Sequence, residues 1–97
     1  MTLATRYGNT HFAITATTAD TAVKSTGGLA GALSVLDVGT TMVISVYDGV
    51  VATPANEISR WVSAMGAGVF PIGLYCKSGI RIVVTAGAAG SARLFYE

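Results

Sequence analysis

Apolar and polar positions alternate with a period of two along most of this chain, the pattern of half-buried β-strands. Across residues 41–47, Met42, Ile44 and Val46 alternate with Thr41, Val43, Ser45 and Tyr47. Phe70, Ile72, Leu74 and Cys76 share one face of the next clear strand. Ile80, Ile82 and Val84 then oppose Arg81, Val83 and Thr85. In 91–96, Leu94 and Tyr96 lie on one side and Arg93 and Phe95 on the other. The first half repeats the pattern more softly. Phe12, Ile14 and Ala16 alternate with Ala13, Thr15 and Thr17 in 11–18, and 21–26 and 29–36 read as further strands interrupted by Gly27, Gly28 and Gly31.

Turn residues punctuate these runs. Asp48-Gly49 predicts a type I′ hairpin into residues 50–52, because glycine accepts positive φ without steric cost. Ser78-Gly79 and the small-residue loop 86–90 predict two more turns, so 69–96 reads as a three-stranded antiparallel meander. Residues 53–65 carry two signals. Thr53-Pro54 resembles a helix start, and Ile58, Trp61, Val62 and Met65 fit helical spacing. The β-branched content and the position between two hairpins favour a strand. Seven or eight short strands at this spacing predict an all-β, antiparallel β-sandwich of jelly-roll type. It forms one domain over 1–97, with 1–10 as a flexible N-terminal arm.

Composition sharpens the picture. Charged residues make up 11% of the 97 residues, against roughly 25% in an ordinary soluble domain. Hydrophobic residues make up 52%, and mean hydropathy is +0.60. A domain of this size buries only about 60–65% of the surface that its unfolded chain exposes. The remaining apolar surface has to face water or meet partners, and the chain reads as a subunit of an assembly. The longest uncharged run, 61–76, falls short of the roughly 20 residues that span a bilayer. Gly66, Gly68, Pro71 and Gly73 interrupt it, so it reads as two strands and a turn, with no membrane partner. Six basic residues are scattered singly around a net charge of +1. No electrostatic footprint for nucleic acid results. Residues 1–12 lack the apolar stretch of a secretory signal.

The inventory for chemistry is thin. A nucleophile–base pair could be drawn only from Cys76 and His11, yet Cys76 falls on an apolar strand face, where a thiol behaves as a small hydrophobe. One His and one Cys cannot supply a four-ligand zinc site within a chain. Asp48 and Asp37 are better explained as turn residues. The glycine clusters lack the spacing and context of phosphate-binding loops. No catalytic residue, metal ligand or cofactor is therefore expected. Trp61, Val83 and Phe95 are the candidate interface residues, Trp61 because tryptophan anchors interfaces, with a core position as its alternative. A carbohydrate-binding module built on Trp61 and the tyrosines is a rival reading, as is the Cys76–His11 hydrolase.

The second half of the chain resembles small all-β structural proteins of tailed bacteriophages. The resemblance lies in Ile44-Ser45-Val46-Tyr47-Asp48-Gly49, in Phe70-Pro71-Ile72-Gly73-Leu74 followed by Ser78-Gly79-Ile80-Arg81-Ile82-Val83-Val84, and in Ala92-Arg93-Leu94-Phe95-Tyr96. It covers about 41–97; residues 1–40 carry none of it. It implies a virion component, in particular a capsid decoration or cement protein. Such a protein would be made in the host cytoplasm and sit as a homotrimer on the capsid exterior against the major capsid protein. A tail, fibre or baseplate module is the alternative within that class. The resemblance implies no catalytic residues.

Overall fold

The computed structural model describes residues 10–15, 20–49, 51–85 and 90–97. The expected arm at the N-terminus, the end of the first predicted strand at 16–18 and most of the 86–90 loop lie outside them. Eight strands follow one another: β1 (Thr10–Thr15), β2 (Thr21–Lys24), β3 (Gly28–Asp37), β4 (Val43–Asp48), β5 (Glu57–Val62), β6 (Gly68–Cys76), β7 (Ile80–Thr85) and β8 (Ser91–Tyr96). Single 3-10 turns, Pro54–Asn56 and Ser63–Met65, flank β5. The fold is all-β, as the alternation predicts.

The topology is that of one long antiparallel ribbon, rolled up. β1 pairs with β8, β2 with β7, β3 with β6 and β4 with β5. Two further ladders, β3·β8 and β4·β7, join these pairs into two four-stranded antiparallel sheets. Sheet A runs β1-β8-β3-β6 and sheet B runs β2-β7-β4-β5. This is a jelly roll, two sheets whose consecutive strands alternate between layers except at the β4–β5 hairpin.

The predicted inward faces meet between the sheets. Met42, Ile44, Val46, Trp61, Ile80 and Ile82 from the sheet B side close on Ile14, Ala30, Leu33, Val35, Cys76, Ala92 and Leu94 from the sheet A side. Tyr96 packs against this core, as its alternation with Leu94 predicts. Ser63 fixes the turn between β3 and β4. Its hydroxyl accepts the Met42 N–H at 2.7 Å and lies 2.7 Å from the Val38 carbonyl, to which it donates.

Two sequence expectations are corrected. The first is the Asp48-Gly49 hairpin. A type I′ turn needs positive φ at both central residues, and Thr41 is the only non-glycine residue with positive φ among those described. Asp48 instead stays in β4 opposite Ile80. Its carboxylate accepts the Ser78 N–H at 3.0 Å, and Gly49 N–H donates to the Gly79 carbonyl at 2.9 Å. The two predicted turns thus lock onto each other at one end of the sandwich. The second is the meander over 69–96. β6 and β8 flank β3 in sheet A, while β7 lies in sheet B. The segment between β6 and β7 crosses layers and needs glycine at position 79, where φ is +131° and a Cβ would sit 2.6 Å from the Lys24 carbonyl. Over 53–65 the favoured strand forms as β5, after a single 3-10 turn starting at Pro54, and the helical spacing of Ile58, Trp61, Val62 and Met65 forms no helix.

Trp61 is a core residue and is withdrawn from the interface candidates. It is 1% exposed, so it has no side-chain surface to offer a partner. Its indole N–H donates to the Gly66 carbonyl at 3.1 Å, and its ring lies 6.5 Å from that of Phe70 at 59°. It therefore ties the β5 edge of sheet B to the β6 edge of sheet A. Replacing it with alanine should cost about 3–5 kcal/mol, the range for emptying a buried aromatic site. Urea unfolding followed by tryptophan-independent far-UV signal measures this; a loss below about 1 kcal/mol, the ordinary single-mutant size, would deny it that role.

Candidate interaction surface

The two outer faces of the sandwich differ in chemistry. Sheet B carries paired charges outward. Arg60 donates to both carboxylate oxygens of Glu57 at 3.0 Å. Asp20 pairs with Arg81 across β2 and β7. Hydrogen bonding from Arg60, assisted by Ser45, holds the Glu57 carboxyl below its ordinary value against a small opposing effect of burial. Tyr47 stands between these pairs, opposite both Glu57 and Arg81. Exposed pairs of this kind neutralise each other and add little stability.

Sheet A turns a different face outward. Register places Ala13, Arg93, Ser34 and Val69 in one row across β1, β8, β3 and β6, and His11, Phe95, Ala32 and Pro71 in the next. Leu29 and Tyr75 extend it along β3 and β6. The His11 and Phe95 rings lie 5.7 Å apart. Arg93 is the one charged side chain in these rows. Leu36 is 61% exposed, Tyr75 69%, Leu74 46% and Val69 43%. All four belong to β3 and β6, and exposed Met65 lies in the turn that leads into β6. Of the large exposed hydrophobic residues described, only Val51 lies elsewhere, in the loop before β5.

The β3–β6 side, which carries four of the six large exposed hydrophobic residues among those described, is therefore the candidate interaction surface, since exposed apolar area marks contact sites. Phe95 belongs to the same outer face and is half-buried by its neighbours. Val83 does not join it: it is half-buried on the outer side of sheet B, opposite Ser45. One of the three candidate interface residues, Phe95, thus falls on this face.

Leu74 is exposed although its register keeps it on the side of Cys76 and core residue Ala30. Ala30 pairs with Leu74 but Ala32 with Pro71, so β6 contains one extra residue here, and Gly73 takes φ +66°. The alternation of Phe70, Ile72, Leu74 and Cys76 along β6 persists through this irregularity. Phe70 and Ile72 pack on the core, Cys76 is buried and Leu74 is left exposed. The patch itself was missed from the sequence. The available signal was the uncharged run 61–76, which holds Met65, Val69, Leu74 and Tyr75.

The rival readings lose their geometry. His11 on β1 and Cys76 on β6 occupy opposite edges of sheet A and different rows of its register, so the three strand spacings alone set them at least about 14 Å apart. Cys76 is also fully buried, and burial, with the Asp48 carboxylate adding to it, pushes its thiol up. The dyad is not assembled. Among the described residues a sugar platform of Trp61 with the tyrosines is not assembled either: Trp61 and Tyr96 serve the core, while Tyr47 and Tyr75 lie on opposite outer faces. No group of three or more potential metal ligands occurs among the described residues. No family model, curated protein or solved structure matches the chain.

Leu36→Glu should leave stability within about 0.5 kcal/mol, as for other outward positions, and should weaken self-association. Phe95→Asp should likewise leave a folded chain. Circular dichroism with sedimentation velocity reads both effects; unfolding by Leu36→Glu would make the patch part of the core. Cys76 should resist alkylation in the folded protein and react only with unfolding, and rapid modification at neutral pH would restore the nucleophile reading.

Proposed function

We propose that this chain is a non-enzymatic structural subunit of a tailed-bacteriophage virion, a decoration or cement protein on the capsid exterior. The observation that carries this reading is the segregation of the surface. The outer face of sheet B is closed by self-neutralised charges, whereas the exposed Leu36, Val69, Leu74 and Tyr75 all belong to β3 and β6 of sheet A. A subunit of that design gains stability by covering one particular face. Such contact between copies makes a homo-oligomer, a trimer by the resemblance of residues 41–97. The remaining surface meets the major capsid protein. Binding to the assembled shell, and not to separated capsomers, stabilises the shell by mass action. The jelly roll is compatible with this role, since viral capsid domains use it, although lectins share it and a fold alone does not assign function.

Antibody raised against the chain and coupled to gold tests the assignment on intact virions from the source of the sequence. Label over the heads is the expected result. Label confined to tails would move the chain to the tail, fibre or baseplate reading, and unlabelled virions would overturn the virion assignment.

A further inference from the structure

A partner that covers a mostly apolar face must match every charge on it, because a desolvated and unpaired charge is strongly unfavourable. The rows of the outer face of sheet A carry one cation, the exposed Arg93. Among the described residues Arg60 pairs with Glu57 and Arg81 with Asp20, whereas Arg93 has no carboxylate partner. Whatever lies on this face therefore has to bring an anion to Arg93.

The chain itself carries such an anion on the same face. Asp37, the exposed last residue of β3, stands opposite Ser91. Ser91 and Arg93 are two residues apart on β8 and so share the outer face, which makes Asp37 and Arg93 diagonal neighbours. Such neighbours lie roughly 7–8 Å apart. Asp37 does not close onto Arg93. Its Oδ1 accepts the Gly39 N–H at 3.0 Å, which ties the carboxylate to the turn after β3. Among the described residues nothing donates to its Oδ2. The remaining carboxylates do not compete for this place. Glu57 and Asp20 are held by arginines, and Asp48 lies in sheet B with the Ser78 N–H on it.

We infer that a second copy of this chain covers the outer face of sheet A, and that Arg93 of each copy pairs across the contact with the neighbouring copy's Asp37. The face complements itself. It holds one cation and one anion, with the exposed Leu36 next to Asp37 and the exposed Val69 in the row of Arg93. Apolar groups then meet apolar groups while the two charges are exchanged. The exchange also sets direction, since Arg93 accepts the neighbour's Asp37 and repels its Arg93. In a closed ring of identical subunits each copy gives its Arg93 to one contact and its Asp37 to another, so a ring of two or of three leaves neither charge unpaired. This contact rests on the assembly reading above and deepens it by naming the side chains that join the copies.

Charge reversal in the full chain tests the inference. Arg93→Glu changes an exposed side chain and should stay folded by circular dichroism. It should weaken self-association at least about tenfold in light scattering over a concentration series, because like charges then face each other across the contact. Asp37→Asn keeps an oxygen for the Gly39 N–H and loses only the charge, so it too should stay folded and associate more weakly. The chain with both Arg93→Glu and Asp37→Lys should recover the mass of the unmodified chain. An equimolar mixture of Arg93→Glu and Asp37→Lys chains should regain assembly that neither shows alone, a rescue that a pair within one chain does not give. Unchanged association of folded Arg93→Glu, or no rescue in the mixture and in the double variant, would overturn this contact while the unmodified chain still assembles. An unmodified chain that is monomeric at every concentration would overturn the assembly reading together with it.

Discussion

The molecule depends on one constraint, the rolling of a single antiparallel ribbon into two layers. The ladders β3·β8 and β4·β7 make the roll, because each joins two pairs of the ribbon into a sheet. Once they form, every strand has an inward face, and the alternation along the chain decides which side chains fill it. The interior is closed by a few large groups, among them Trp61, Met42, Ile14 and Leu94. Trp61 is critical because it and Phe70 bring a strand of each sheet together at one edge. Pairing of residues as far apart as Thr10 and Tyr96 means that the roll closes only when distant segments meet, a feature that slows folding.

The same constraint explains the surface. A two-layer sandwich of this length has only one interior, so each sheet presents its second face outward. Sheet B fills that face with ion pairs and Tyr47. Sheet A fills it with small and apolar residues. The low charge of the chain is therefore spread unevenly, and the apolar excess gathers toward β3 and β6.

Much of the fold was legible in the sequence because it rests on local periodicity. The strand at 41–47 was displaced by only a residue or two, and Met42, Ile44 and Val46 point inward as their spacing requires. Partner choice was not legible. Period two shows which face of β6 or β7 is apolar but not which strand lies beside it, so three successive strands looked like a meander when they alternate between layers. The register shift near Gly73 was hidden for a similar reason: it depends on the partner strand, and the only local signal is a glycine. Trp61 carried the ambiguity of all large aromatics, which suit cores and interfaces alike. The patch was legible only as a lack of charge over 61–76, which says that the segment is apolar but not that it lines an edge.

The central claim is that sheet A's apolar side is covered in the working state by other subunits. The molar mass of the purified chain by light scattering, followed over a hundredfold range of concentration, tests it most directly. The account predicts an assembly of several copies, three for the apolar contact alone, well above the 9.9 kDa of one chain. A well-behaved particle of 9.9 kDa at every concentration would contradict it.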